Sequence, residues 1–535
     1  MKTATKRAHA ARKTVSASRP PAPANNLTHN EYGFDVATDN PFMIFPYLQQ
    51  LARGRFEQSD IYDLSRGDPG LGFAPSERGR NLFGCLTIID AALNSNRTKF
   101  RMHKATESEL PNIQKTIEET ARASFSPALS KECLAALKEV TEKIIAAASE
   151  EDKKLTELDV LKGIFNHSTL LGGSYHSPQG ELLPRIAVAS YYRQSLHEPA
   201  ITSNDLVFTL GVNDAIGTLF KMLGAEGLGF LKPGDTIAAS TPAYAPYLNE
   251  IRARKLNIVG LPILASVSSD FAEADAETER IKAFFLISPN NPTGAAYTRE
   301  AIQHIAALAE KHDALIVSDE IYAPFFDDFT SPVRFAKKRT LRLCGRSKVE
   351  RSPGLRFGDI LIPSWTNDFL TDHLLKGYLT APDFKTQFTW AKAPGGINGN
   401  FQHTATVPGP SQILGMLHVL LGEEERKQYL AMVHTNMEVF FKELGLPYHG
   451  EVYYGLFDLN DIPGCHTSNI HINQKLYDLT TKHGVIVIPA MQFFSPSAHA
   501  ASDKSNYVRV SLPNLPSERV AEAARRIREY VTHKS

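Results

Sequence analysis

Between Gly180 and Val317, short apolar runs alternate with amphipathic stretches, and this alternation constrains the fold more than any other feature of the chain. Leu206–Leu210, Thr236–Ala239, Ala283–Ile287 and Ala314–Val317 have strand length and strand composition, whereas Ala215–Leu223 and Arg299–Lys311 carry apolar residues at helical spacing. A strand covered on both faces reads as a continuous apolar run, and the helices between such strands act as crossovers. The pattern predicts an α/β domain with a mostly parallel sheet. Ligands on these sheets bind beyond the carboxyl ends of the strands, so the segments that follow each strand are where chemistry is expected.

Those segments carry polar residues in an order that suits one task. In Gly345–Gly358, Lys348 follows a small residue and precedes Arg356 by eight positions in a Gly/Ser-rich turn. Such a lysine can form an imine with an aldehyde cofactor while the arginine neutralises the cofactor's phosphate. A lysine of this kind needs a depressed pKa, and Arg346, Arg351 and Arg356 supply nearby cations in sequence. The bland reading is a surface lysine in a basic loop. Asp319 follows the apolar run Ala314–Val317, where a carboxylate can hold a proton on a ring nitrogen or simply cap a helix. Asn291 sits in Ser288-Pro-Asn-Asn-Pro-Thr-Gly294, whose Asn-Pro and Thr-Gly pairs fix a turn. Thr209-Leu-Gly-Val-Asn213 closes a strand and opens a helix, so Gly211, Val212 and Asn213 can offer backbone N–H groups to a phosphate. Arg509, in Tyr507-Val-Arg-Val-Ser511, is either a bidentate clamp for a carboxylate or a solvated strand arginine.

Together these segments resemble the fold-type I pyridoxal-phosphate (PLP) enzymes of the class I/II aminotransferase family, from about Tyr62 to the C-terminus less one insertion. The resemblance implies a large domain with a mostly parallel seven-stranded sheet flanked by helices, plus a smaller α+β domain. It assigns Lys348 the Schiff base with pyridoxal 5′-phosphate and then the proton transfer from the substrate's Cα. It places Asp319 at the pyridine nitrogen, Tyr322 and Asn291 at the ring oxygen, and Tyr244 on the ring face. Gly211, Val212, Asn213 and Arg356 are implied to hold the phosphate. Tyr175, in Gly-Gly-Ser-Tyr, resembles the tyrosine that reaches the phosphate of the second subunit, which implies a homodimer with shared active sites. Arg509, Gly67 and Asn291 are implied to hold the substrate's α-carboxylate. Arg66 either binds a distal carboxylate or pairs with Asp68 in its own turn. Where the family often has a hydroxyl residue three positions before the lysine, this chain has Gly345. The implied reaction moves the amino group of an L-amino acid to a 2-oxo acid. A carbon–carbon lyase similar to aspartate 4-decarboxylase is the alternative, kept open by the long subunit, the insertion and Arg66.

The remainder sets boundaries. At 535 residues the chain can form two or three domains. Residues 1–30 read as a basic tail, either disordered or an organelle transit peptide, so the expected location is the cytoplasm or, with a transit peptide, an organelle matrix. Residues 31–107 are assigned to an arm and part of the small domain, 108–165 to a helical insertion, 166–375 to the large domain and 376–535 to the small one. A transcription regulator would need an N-terminal DNA-binding domain, which this tail does not supply. Formal net charge is zero, so no global field favours nucleic acid or anionic membrane, and no apolar run reaches membrane-spanning length. The four cysteines lack a CxxC pair and are expected as free thiols; no metal site is expected.

Overall fold

The structure is a computed structural model that describes residues 31–70, 76–94, 102–166, 170, 176–264, 271–277, 279–392, 407–494 and 506–533. The chain opens with helix α1 (Pro41–Arg53), strand β1 (Tyr62–Asp63) and helix α2 (Glu77–Leu93). Sequence periodicity predicts a helix only from Pro46. The helix begins five residues earlier, capped by Asn40, whose side chain accepts from Phe42 N, with Pro46 inside it. Proline at the sixth helical position forgoes one i→i−4 hydrogen bond, to Phe42 O, and the helix continues through it to Arg53.

Helices α3 (Leu110–Ser124), α4 (Pro127–Ser149) and α5 (Glu157–Ile164) follow, and then α6 (Leu182–Leu196). Each of α3, α4 and α5 begins on a local start signal. Pro111 lies in the first turn of α3, Ser126 caps α4 by accepting from Leu129 N, and Thr156 forms a capping box with Asp159 at α5. Their buried stripes, Ile113/Ile117/Ala121 and Leu137/Val140/Ile144 among them, share one core with α2 and α6. Cys85 of α2 and Cys133 of α4 face each other in that core as a disulfide, with Cα atoms 6.7 Å apart, which corrects the expectation of four free thiols. Cys344 and Cys465 are free.

The large sheet is laid down next. Its strands are β2 (Leu206–Thr209), β3 (Thr236–Thr241), β4 (Asn257–Pro262), β5 (Ile281–Ile287), β6 (Leu315–Asp319), β7 (Thr340–Gly345) and β8 (Gly358–Leu361). Helices α7 (Val212–Leu223), α8 (Ala245–Ala253) and α9 (Arg299–Lys311) are among its connections. The order is β2-β8-β7-β6-β5-β3-β4, with β8 antiparallel to both neighbours and the remaining pairs parallel. Register then fixes one functional edge. Ile287 pairs with Asp319, and both Thr209 and Gly345 pair with Gly358. The residues after β2, β5, β6 and β7, together with those just before the reversed β8, emerge at the same end of the sheet.

Helices α10 (Phe384–Lys392), α11 (Gly409–Leu421) and α12 (Glu423–Leu444) come next, followed by β9 (Tyr454–Asp458), α13 (Ile472–His483), β10 (Val485–Ile486), β11 (Ile488–Pro489), β12 (Tyr507–Ser511) and α14 (Ser517–Thr532). β11, β12 and β9 form an antiparallel sheet, and β1 pairs with β10. The core of this smaller unit draws on residues 34–64 and 437–531, whereas Phe384 and Phe388 join the large core and Ile413 and Met416 join the helical one. Among the described residues, no helix is long and apolar enough to cross a membrane, and no group of side chains could hold a metal ion.

Candidate active site

Asp319 ends β6 and is 3% exposed. Its Oδ1 accepts from Ile321 N at 3.2 Å and its Oδ2 accepts from the Tyr247 hydroxyl at 3.2 Å. Burial lifts this carboxyl from an ordinary 3.8 to about 7, with these hydrogen bonds and the charge of Lys348 pulling the other way. Burial also raises the Tyr247 hydroxyl well above its ordinary range, so it stays protonated and donates. Sequence reasoning missed Tyr247. The available signal was its spacing: Tyr244 and Tyr247 are three residues apart across the start of α8, which turns both toward the cavity side.

Lys348 lies three residues past β7. Its Nζ donates to the carbonyl oxygen of Gly67, which also accepts from the Tyr453 hydroxyl at 3.1 Å. The rings of Tyr453 and Tyr322 stand 5.3 and 5.8 Å from that ammonium. The three arginines expected around it do not all arrive. Arg346 is directed into a buried network, donating to the Tyr192 hydroxyl at 2.5 Å and pairing with Asp359 and Glu350 at 3.3 Å each. Arg351 lies over the Tyr429 ring. Arg346 N still bonds to Phe357 O as an extension of the β7–β8 ladder, and its side chain falls on the face away from the cavity. Of the three, Arg356 alone lines the cavity with Lys348.

Arg356 closes one end. It adopts a left-handed backbone (φ 49°) and donates to Pro353 O at 3.0 Å and Leu210 O at 3.1 Å. Opposite it, Gly211 caps α7 with φ +83°, and a Cβ placed there would lie 2.8 Å from Arg356 Nη2. A side chain at 211 is thus strained by the backbone and would displace the Arg356 guanidinium. The first-turn N–H groups of α7, including those of Val212 and Asn213, have no acceptor within the helix and carry its positive end. Asn213 Nδ2 donates to the Tyr244 hydroxyl at 3.3 Å, tying that helix end to the aromatic wall.

Arg509 closes the other end. It is 2% exposed on the central strand of the small sheet. Its Nη1 donates to Asn291 Oδ1 at 3.2 Å and its Nη2 to Ser65 O at 2.6 Å, while its Nε has no partner among the described residues. The guanidinium lies 4.7 Å over the Tyr454 ring. Tyr322 and Tyr454 share a hydroxyl–hydroxyl hydrogen bond of 2.9 Å, and burial, then Tyr454, hold the Tyr322 hydroxyl well above its ordinary range. Gly67 is required by approach: a Cβ there would meet the Tyr454 hydroxyl at 2.5 Å. Arg66 pairs with Asp68 at 2.8 Å, the second of its two sequence readings.

Arg66, Gly67, Val212, Asn213, Tyr244, Asn291, Asp319, Tyr322, Lys348, Arg356 and Arg509 all line one cavity of about 360 Å³. Gly211 sits behind Arg356, and Tyr175 lies outside the described residues. Ser347 also lines this cavity, while Gly345 ends β7 beside Gly358 with no hydroxyl to offer. Phe42 and Phe45 of α1 and Tyr454 complete the wall and were not found from sequence, because no motif marks them.

Residues 171–527 match the family model for aminotransferase class I and II. The chain belongs to that family. It is 26% identical over 365 residues to a bifunctional aspartate aminotransferase and L-aspartate beta-decarboxylase of a Pseudomonas species, covering 61% of this chain and 66% of that protein. It is 32% identical over 189 residues to an aspartate/prephenate aminotransferase of Thermus thermophilus, covering 34% of this chain and 47% of that one. The chain thus matches less than two thirds of either relative's length. In fold it is similar to the aspartate aminotransferase from Thermus thermophilus with maleate, with a TM-score of 0.56 at 19% identity over 92% of this chain and 96% of that one. An aminotransferase from Mycobacterium tuberculosis is comparable, with a TM-score of 0.57 at 18% identity over 92% and 97% of the two chains. These likenesses place the fold as that of the aminotransferases, a seven-stranded α/β sheet with a smaller α+β unit.

Proposed function

We propose that the protein is a pyridoxal 5′-phosphate-dependent transaminase that moves the amino group of an L-amino acid to a 2-oxo acid through Lys348. The observation that carries this is the convergence on one cavity of a lysine amine, a buried carboxylate, a helix N-terminus with its arginine, and a buried arginine clamp. The residues fit the cofactor chemically. Asp319 is a desolvated carboxyl in want of a cationic partner, which a protonated ring nitrogen would be. The Gly211–Arg356 approach leaves a cradle of donors with no side chain in it.

When bound, the cofactor supplies a conjugated electron sink for the charge left on the amino acid's Cα. Lys348 would hold its aldehyde carbon, and Asp319, braced by Tyr247, would keep a proton on the ring nitrogen. Tyr244 would cover the ring face. Asn291 Oδ1 already accepts from Arg509, so its amide nitrogen is left to donate to the ring oxygen beside Tyr322. The N–H groups of Val212 and Asn213 and the Arg356 guanidinium would take the phosphate. Arg509 would grip the α-carboxylate in bidentate fashion, with the Gly67 backbone alongside. This grip would orient the Cα–H bond toward Lys348, whose amine would hold and hand back the proton taken from that carbon.

A homodimer with shared sites, completed across the subunit boundary by Tyr175, belongs to the same reading, as does a cytoplasmic location. The decarboxylase reading is not preferred, because Arg66, the guanidinium it would use for a distal carboxylate, is engaged by Asp68. The test is to mix the purified protein with pyridoxal 5′-phosphate and a panel of amino acids, then follow the cofactor spectrum, the 2-oxo acid and released carbon dioxide. We expect 2-oxo acid without carbon dioxide. Borohydride should trap a covalent adduct in the wild type and not in Lys348→Ala; a trapped adduct in that variant refutes the assignment of the anchor.

A further inference from the structure

Lys392 is the last residue of α10 and is 2% exposed, an unusual place for an ammonium. Its Nζ lies 2.5 Å from Asp214 Oδ2. Asp214 is the third residue of α7, and the same carboxylate oxygen accepts from Leu210 N at 2.9 Å, pinning the loop that leads into the helix. An acidic residue in a first turn normally complements the positive helix end. At this helix end the proposed function requires more, since the N–H groups of Val212 and Asn213 would receive a phosphate carrying up to two charges. A carboxylate within one turn of that phosphate opposes it.

We propose that Lys392 is a positioning residue for cofactor binding: it cancels the charge of Asp214, so that Asp214 can fix the cradle loop without repelling the phosphate. The inference rests on the pyridoxal 5′-phosphate reading of the site. It accounts for the lysine's cost. Burial pushes the Lys392 amine down from its ordinary range, and the nearby Asp214, 2.5 Å away, pulls it back. An apolar pair could also tie α10 to α7 but would leave Leu210 N without its acceptor, so the carboxylate is needed here and Lys392 supplies its counter-charge.

The experiment titrates apo-protein with pyridoxal 5′-phosphate and, separately, with pyridoxal, which lacks the phosphate. A unit charge about one helical turn away in a partly buried setting changes affinity on the order of 10- to 100-fold. Lys392→Met should therefore weaken pyridoxal 5′-phosphate by about that factor while leaving pyridoxal within about threefold of wild type. Lys392→Arg and the double variant Asp214→Asn/Lys392→Met should both return to within about threefold of wild type. A folded Lys392→Met protein that binds both compounds like wild type, or loses both equally, overturns the inference. Should Lys392→Met not fold, Asp214→Asn alone decides, because it leaves a cation beside the phosphate and should bind at least as tightly as wild type; a tenfold loss (about 1.4 kcal/mol) would overturn the inference. A wild-type protein that takes up no pyridoxal 5′-phosphate overturns this inference together with the function beneath it, whereas normal uptake with an unaltered Lys392→Met overturns the inference alone.

Discussion

Asp319 makes the apo-protein less stable at alkaline pH, and Asp319→Asn should relieve this. Its carboxyl sits at about 7 in the folded chain against an ordinary 3.8, a rise caused first by burial. The folded state therefore binds a proton that the unfolded state has released throughout the window between those two values. Stability is lost as pH rises through that window, and the loss is complete above about pH 7. About three pKa units at about 1.4 kcal/mol each give a ceiling of about 4 kcal/mol. The amide has no such titration, so its advantage over the carboxyl should vanish near pH 4 and grow by about 2–3 kcal/mol between pH 5 and pH 8.5. Urea unfolding of both apo-proteins at those two pH values measures the difference. The same substitution should weaken pyridoxal 5′-phosphate, because a neutral amide cannot hold a proton on the ring nitrogen. A stability advantage of the Asp319→Asn protein that is constant with pH, or absent at pH 8.5, would refute the account of Asp319 as a desolvated carboxyl awaiting a cation.

Arg509→Lys should lower kcat/KM by at least about 10²-fold with the fold intact, since an ammonium cannot reach Asn291, Ser65 and a substrate carboxylate together; steady-state kinetics on the preferred amino acid check this. Gly211→Ala should raise the dissociation constant for pyridoxal 5′-phosphate by about tenfold or more in a spectral titration, because its Cβ meets Arg356 at 2.8 Å and φ is +83°. Gly67→Ala should lose activity through its clash with the Tyr454 hydroxyl 2.5 Å away, and adding Tyr454→Phe should recover part of it in the same assay.

Motifs that follow a strand were legible because strand direction and edge are written in the sequence. The apolar runs of β5 and β6 end where Asn291 and Asp319 must emerge, and the lysine turn follows β7 by the same logic. Legibility failed where a side chain's face mattered more than its position. Arg346 is two residues from Lys348, yet it points into the network of Tyr192, Glu350 and Asp359. Proximity in sequence past the end of a strand does not mean proximity in space, because the chain leaves the β7–β8 ladder after Arg346 and turns, so the strand's period of two no longer places Lys348 beside it. The Cys85–Cys133 pair was invisible for a related reason: two cysteines 48 residues apart on different helices show their shared face only once the helices pack.

The hydroxyl groups show why a motif list cannot complete such a site. Tyr247, Tyr453 and Tyr454 touch the predicted residues rather than standing among them: Tyr247 braces Asp319, Tyr454 bonds Tyr322, and Tyr453 shares the Gly67 carbonyl with Lys348. Two of the three come from the segment that leads into β9 of the small unit, and Gly67 comes from the N-terminal arm, so the amine of the large domain is positioned by backbone and hydroxyls from both ends of the chain. A shift of the small unit against the large sheet would move Arg509, Tyr454 and Gly67 together, and with them the carboxylate clamp and the acceptor that holds Lys348. On the proposed function, substrate grip by Arg509 and release of the Lys348 amine would be linked, since the arm and strands that carry one also carry the other.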